Sequence, residues 1–421
     1  MIVVNESRTR LLIPFIASFL ALLSASLYAG DKSVIELNHW WTSKGELAAV
    51  DVIKKAAEQR GAEFETVTAD NYNNFRINVI ERVNLGYLPS IAHWLGGKEL
   101  QQLKDHNILQ SLPEKTDGKP IKDVLFDQVI AETSRDDALV AIPVGIHIQN
   151  STYYNAKIYD ELNLSPPDTW KTLFEQLEVI SKAGYTPIAV GTEPWQLSFL
   201  TDALLISYGG KEALQEIFLE DEPIDKWRGT LIRVFKSYLA LKPYTNPAHG
   251  QQKWSENVKS FVEGEAAIHF MGDFAMGELT ALGALPNKDF YCETSPENNN
   301  VLFYGVDVFA LLKVADPELK AGQAIMVDTI LSQGTQSAFV NKKGGIPVRS
   351  DIDMKKLNTC SAQAYQKWTD SKYSHIPISA GSSRTKMATY YGLAMELWTQ
   401  ETPDIETTVD KLISVIHKLN K

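Results

Sequence analysis

From Val34 onward the chain alternates short apolar runs with longer stretches of helical period, a rhythm produced by parallel strands joined through crossover helices. Val34 to Trp41 reads as a first strand. Gly45 to Arg60 follows with Leu47, Val50, Ile53 and Ala56 at three-residue spacing and Gly61 as a stop, the pattern of an amphipathic helix. Glu63 to Thr68 reads as a second strand, Phe75 to Leu85 as a helix with Ile77, Ile80 and Val83 on one face, and Ile91 to Leu95 as a third strand. Together they make a βαβαβ half of an open sheet, in which ligands bind beyond the carboxyl ends of the strands. Trp40 and Trp41 stand at one such end, and His93 and Trp94 lie on the third strand.

Further on, Leu139 to Ile148 and Thr186 to Val190 read as strands, and Asp168 to Ala183 as a helix burying Trp170, Leu173, Leu177 and Ile180. Asp316 caps a helix that opens on Pro317 and keeps its period through Leu319, Met326 and Ile330 towards Gly334. A chain of 421 residues is longer than one hydrophobic core supports, so two or three lobes are expected. Gly/Ser-rich or Pro-rich tethers and internal repeats are missing. The chain is therefore expected to cross between lobes on extended segments, with those around His147, Ile268 and Gly305 as candidates.

The first thirty residues differ from the rest. Arg8 and Arg10 precede an almost wholly apolar Leu11 to Leu23, and Ser24 to Ala29 then supply small residues before a polar Gly30-Asp31-Lys32-Ser33. This is the layout of a secretory signal peptide over residues 1–29, read in preference to a membrane anchor. The mature chain is expected to begin near Gly30 in an exported, oxidising compartment. There an even pair of cysteines, Cys292 and Cys360, reads as a bridge rather than a metal site. A formal charge of −11 repels phosphate backbones and anionic lipid heads, so nucleic acid is excluded as a partner.

The sequence carries none of the P-loop, H-E-x-x-H, G-x-S-x-G or dinucleotide-binding patterns, and its 8 histidines are dispersed. No metal or cofactor is implied. Asn150-Ser151-Thr152 fits the glycosylation pattern, which occurs by chance in many chains. What stands out is aromatic and polar residues at strand ends, among them Trp195 and Gln196 after Pro194. Sugars offer C–H faces that pack on indole rings and hydroxyls that bond to carboxylates, amides and lysines. Asp307 interrupts the apolar run Val301 to Leu312, where an unpartnered carboxylate would cost several kcal/mol. It either pairs with a structural base or faces a wet cleft, and the cleft is preferred. For Asp273, after Phe270-Met271-Gly272, a helix N-cap is expected.

Seven ordered segments carry a resemblance: Asn38-His39-Trp40-Trp41-Thr42-Ser43 with Glu46; Ile142-Pro143-Val144 with His147; Thr152-Tyr153-Tyr154-Asn155; Pro167-Asp168-Thr169-Trp170; Pro194-Trp195-Gln196; Phe270-Met271-Gly272-Asp273; and Gly345-Ile346-Pro347-Val348-Arg349. From about residue 34 to at least 385 the chain resembles the periplasmic sugar-binding proteins of ABC importers, in particular the bacterial glucose-binding proteins of extracellular solute-binding family 1. The resemblance implies an α/β fold of two lobes, with a ligand cleft between them, three inter-lobe crossing segments, and hinge closure on the sugar. On this reading the N-terminal lobe comprises 30–147 and 267–305, and the C-terminal lobe 148–266 and 306–421.

Carried over residue by residue, the family's sugar contacts fall on Trp40, Trp41, Glu46, Asp307 and Lys343, with His147 and Trp195 in matching segments. Cys292 and Cys360 resemble a pair bridged in relatives. Four positions depart from the glucose binders: His93 and Leu95 replace a Gln followed by Lys or His, Phe274 replaces a Trp, and Gly381 aligns with a sugar-binding His. These changes imply a related pocket with a changed ligand. The expectation is a monomeric, non-enzymatic receptor for a monosaccharide or small oligosaccharide, with the importer's permease subunits as partners and only peripheral membrane contact. The alternatives are an exported glycoside hydrolase or lyase using Glu46 or Asp307, and a sugar-sensing subunit for a signalling receptor.

Overall fold

β1 (Ser33–His39) lies between two parallel neighbours in the computed structural model of the chain, which describes residues 33–191, 193–221, 223–246, 253–378 and 384–420. The expected leader and Gly381 fall outside the described residues. α1 (Lys44–Glu58) leads to β2 (Ala62–Thr68), and α2 (Tyr72–Asn84) leads on to β3 (Ile91–Leu95). β2 and β3 both run parallel to β1, as the βαβαβ reading requires. The apolar series read along the two helices are buried only in part. α1 buries Ala49, Val50, Ile53 and Ala57 and exposes Leu47; α2 buries Phe75 and Val79 and exposes Ile77 and Ile80. The period is right in both and the phase is shifted in α2; an apolar side chain facing water is common, and small residues such as Ala serve as core.

β4 (Ala141–Ile148) is followed by β5 (Ser151–Asn155), α3 (Trp170–Lys182), β6 (Thr186–Ala189) and α4 (Pro194–Leu214). β7 (Ala266–Phe270), α5 (Ala275–Ala281) and β8 (Phe290–Thr294) come next. β9 (Val301–Leu311) precedes α6 (Pro317–Leu331), α7 (Gln333–Lys343), α8 (Thr359–Thr369), β10 (Ser374–Pro377), α9 (Arg384–Thr399) and α10 (Ile405–Leu419). One sheet has the order β10-β9-β3-β1-β2, with β4 also paired to β9; the other is β6-β7-β5-β8. Each sheet has its own apolar core, which gives two lobes.

The sheets correct the expected lobe boundaries. β7, α5 and β8, placed by the sequence reading in the N-terminal lobe as part of 267–305, belong to the second sheet and its core. β9 beyond residue 306, together with α6, α7 and α8, belongs to the first. Ile268 is a central residue of the second sheet and not a crossing. The crossings follow β4, precede β9, and follow β10, from which the chain enters α9 with Tyr390 and Leu397 in the second core. Short apolar strands look alike in sequence, and sheet membership is set by long-range pairing that local pattern does not encode. Within the crossings, the buried Asn150 donates from Nδ2 to the Val301 carbonyl at 2.8 Å and accepts from the Phe303 N–H at 3.1 Å. Its place in an Asn-Ser-Thr triplet therefore has a structural explanation.

Cys292 on β8 and Cys360 on α8 form a disulfide with Cα atoms 5.9 Å apart. Because Tyr365 and Trp368 of α8 pack in the first core while β8 is an edge of the second sheet, the bond staples one lobe to the other. Lys367 and Glu293, 3.4 Å apart, pair across the same junction.

Candidate ligand-binding site

Sheet register brings together residues that are distant in sequence. On β9, Asp307 lies opposite Leu95 of β3 and Gly145 of β4, while His93 lies opposite Phe309 and His147 opposite Gly305. Both histidines are therefore diagonal neighbours of Asp307 on one face of the sheet. A bulge at Pro143 to Gly145 adjusts the register beside Asp307. Its Oδ2 lies 3.2 Å from His147 Nε2 and its Oδ1 3.4 Å from His93 Nε2.

The chain of charges continues into the second lobe. His147 Nδ1 is 2.8 Å from Asp273 Oδ1, and Asp273 Oδ2 accepts the Ile148 N–H at 2.8 Å. Asp273 is thus not the expected N-cap. Phe274 occupies the cap position of α5, without a side-chain cap bond, and the Asp273 carboxylate is turned back to His147. Burial alone would depress His147, but Asp307 and Asp273 outweigh it and push the imidazole up to about 9. Burial opposes ionisation of Asp307 too, yet His93 and His147 hold its carboxyl far below the usual range. His93 is lowered, chiefly by burial. At neutral pH Asp307 is a carboxylate, His147 an imidazolium and His93 a neutral imidazole.

Around this core stand the aromatic residues. Trp40 stacks on His93 with ring centroids 3.5 Å apart and planes 11° from parallel, and meets Tyr72 edge-on. Trp41 is buried against His93, Phe309 and Phe339. Lys343, at the end of α7, holds its Nζ 5.4 Å from the Trp41 ring of the first lobe and 4.9 Å from the Phe274 ring of the second. The same Nζ lies 3.7 Å from Glu46 Oε1. Lys343 is aimed by the sharp turn after it: Gly344 and Gly345 have φ of 88° and 101°, and a Cβ on either would strike the Asp273 carbonyl or the His147 ring.

Glu46 has a second role that sequence reasoning missed. Its Oε2 accepts the Thr42 and Ser43 N–H groups at 3.0 Å, and Ser43 Oγ accepts the Glu46 N–H at 3.3 Å, a complete capping box for α1. The S-x-x-E spacing was its signal. Trp195 lies in the first turn of α4, 38% exposed, with its indole N–H donated to Glu193. It reaches Phe274 only through Phe199. Trp94 packs in the first core and donates to the Glu99 carbonyl. Trp40, Trp41, Glu46, His93, His147, Phe274, Asp307 and Lys343 thus converge, and Trp195 stands at their margin.

Two lobes with separate cores, joined by three crossings and meeting at a polar cluster rimmed by aromatic rings, define a hinged binding protein. Residues 51–317 match the model of the bacterial extracellular solute-binding proteins, and the chain belongs to that family. A "Probable sugar-binding periplasmic protein" of Rhizobium meliloti (strain 1021) is 30% identical over 343 residues, covering 81% of this chain and 82% of that one. Its namesake from Brucella melitensis is 29% identical, with 80% of each chain covered. Among solved structures, a "Chitin oligosaccharide binding protein" superposes with a TM-score of 0.76 at 20% identity, over 93% of this chain and all of that one, a likeness of fold. Among the described residues no group of side chains could hold a metal ion, and no helix is long and apolar enough to cross a membrane.

Proposed function

We propose that the protein is an exported receptor that binds a monosaccharide or small oligosaccharide between its lobes and delivers it to the membrane permease of an ABC importer. The observation that carries this reading is Lys343. Its ammonium is flanked by an indole of the first lobe and a phenyl ring of the second, beside the Glu46 carboxylate. Such a group offers hydroxyls both donors and acceptors, and offers a pyranose face flat apolar surface. The names of the relatives point the same way. Trp40, Trp41, Glu46, His93, Phe274, Asp307 and Lys343 form the ligand set on this reading, with His147 orienting Asp307 and Trp195 at the rim.

The charge states bear on one half of a hydrolytic role, that of the general acid. Asp307 is held ionised between two histidines and has no proton to give a leaving group. The test is thermal melting of the mature chain against a panel of neutral sugars, with the sugar recovered afterwards. Binding to the folded state adds RT ln(1 + [L]/Kd), about 2.7 kcal/mol at a hundredfold excess over Kd. A raised melting point with unchanged sugar is expected. No shift with any sugar would overturn the receptor reading, and conversion of the sugar would move the protein to the enzymes.

A further inference from the structure

The lobes also touch through a contact to which no ligand role has been given. α5, of the second lobe, lies across the start of α1 and the end of α7, both of the first. Glu278 on α5 is buried, and its Oε2 accepts the Gly45 N–H at 2.8 Å. Gly45 is the second residue of α1, so this carboxylate of one lobe sits on the free N–H groups and positive dipole end of a helix in the other. The backbones approach so closely that side chains are barred. A Cβ on Gly45 would lie 2.5 Å from the Gly277 carbonyl carbon, and one on Gly277 would lie 2.4 Å from the Lys342 carbonyl oxygen. Two glycines from two lobes, 232 positions apart in sequence, are thus both needed for one contact.

We propose that Glu278, with the Gly45–Gly277 seam beneath it, is the latch of the closed cleft: it sets sugar affinity through the population of the closed state without touching the sugar. The affinity part of this rests on the receptor reading; the shape part does not. When the lobes part, Glu278 and the α1 N-terminus each return to water, so the bond is made only on closure. Closing then has a local favourable term that belongs to the protein and adds to whatever the sugar contributes. For a receptor whose binding-competent state is partly populated, apparent Kd rises in inverse proportion to that population. The latch is placed next to the reporting residues, since Gly45 adjoins Glu46 and Gly277 packs on the backbone of Lys343.

The experiment compares wild type with Glu278→Ala, Glu278→Gln and Gly277→Ala. Small-angle X-ray scattering is measured without sugar, and calorimetric titration with D-glucose, D-galactose and D-xylose in parallel. Glu278→Ala and Gly277→Ala are expected to enlarge the sugar-free radius of gyration and to weaken binding of whichever probe the wild type binds by about tenfold or more. Glu278→Gln, which keeps an acceptor oxygen, is expected to recover part of both. A purely structural role would lower the melting point and leave the radius of the folded fraction unchanged. Scattering and Kd unaltered in Glu278→Gln and Gly277→Ala would overturn the latch, even if Glu278→Ala failed to fold. If no probe binds wild type, these three sugars are excluded as ligands and the receptor reading stands or falls by the wider panel, while the scattering arm still decides the latch.

Discussion

Asp307 lies on a strand whose every residue is buried, and the sequence left it two fates, a structural partner or a wet cleft. The structure combines them: the carboxylate is bracketed by two histidines at the meeting of the lobes. Neither histidine was predictable as its partner, because His93 and His147 lie 214 and 160 positions away and only strand register joins them. Asp273, read as a cap, is a partner of His147 from 126 positions away for the same reason. Trp40 and Trp41 were legible because they stand together at one strand end, whereas Glu46 came only through the resemblance. The pairing makes a prediction for single residues. In the wild type, the His147 resonances followed by NMR should titrate near 9. In Asp307→Asn one of two flanking negative charges is gone, and the midpoint should fall by about one to three pH units. Sugar binding should weaken about tenfold or more in the same variant. A midpoint that does not move would remove Asp307 as the partner of His147.

At the scale of the element, the start of α1 does three jobs within four residues. Ser43 caps it, Glu46 closes the box and reaches Lys343, and Gly45 receives Glu278. These jobs separate by mutation. Ser43→Ala removes only the cap and should cost about 1 kcal/mol of stability with sugar affinity within about twofold of wild type. Glu46→Ala should lower the melting point comparably and also weaken binding about tenfold or more. Equal affinities for the two variants would confine Glu46 to capping. Elements as such were mostly readable: β3 is the expected span, and α3 buries all four residues assigned to its inner face. In α1 the apolar series was legible at Val50 and Ile53 but not at Leu47, and in α2 the phase was not legible, since Ile77 and Ile80 face solvent while Phe75 and Val79 face the core.

For the whole molecule, two lobes followed from chain length and from the resemblance, while their boundaries did not. β7 and β9 are both wholly buried apolar strands, and only pairing separates them into different sheets. Stability should depend on pH in a way the buried histidines dictate. Burial holds His39 and His269 down from 6.5 to about 4. The unfolded chain takes up protons near 6.5, whereas the fold refuses them until about 4. Their contribution is therefore complete above 6.5 and lost as pH falls through that window, up to ~3 kcal/mol for each. His147 has the opposite sign: raised to about 9, it stabilises fully below 6.5 and ceases to as pH rises through 9. Melting temperature should pass through a maximum near neutrality, and a level profile down to pH 4 would contradict the neutral assignment of the two histidines.

The Cys292–Cys360 staple bears on how the protein meets a protease. Asn299 and Asn300 are exposed, with φ of 52° and 54°, and lie inside the 68-residue loop that the bond closes. In the chain-entropy account a loop of that length contributes about 4 kcal/mol. A cut there severs the second crossing, yet the fragments on either side remain one covalent body, still tethered at the lobe junction. Limited digestion should accordingly give a product of intact mass plus one water on a non-reducing gel or spectrum, and two pieces only after reduction. The bond would then act as insurance against nicking: a clipped molecule keeps its halves in register, and a single backbone break need not end its working life.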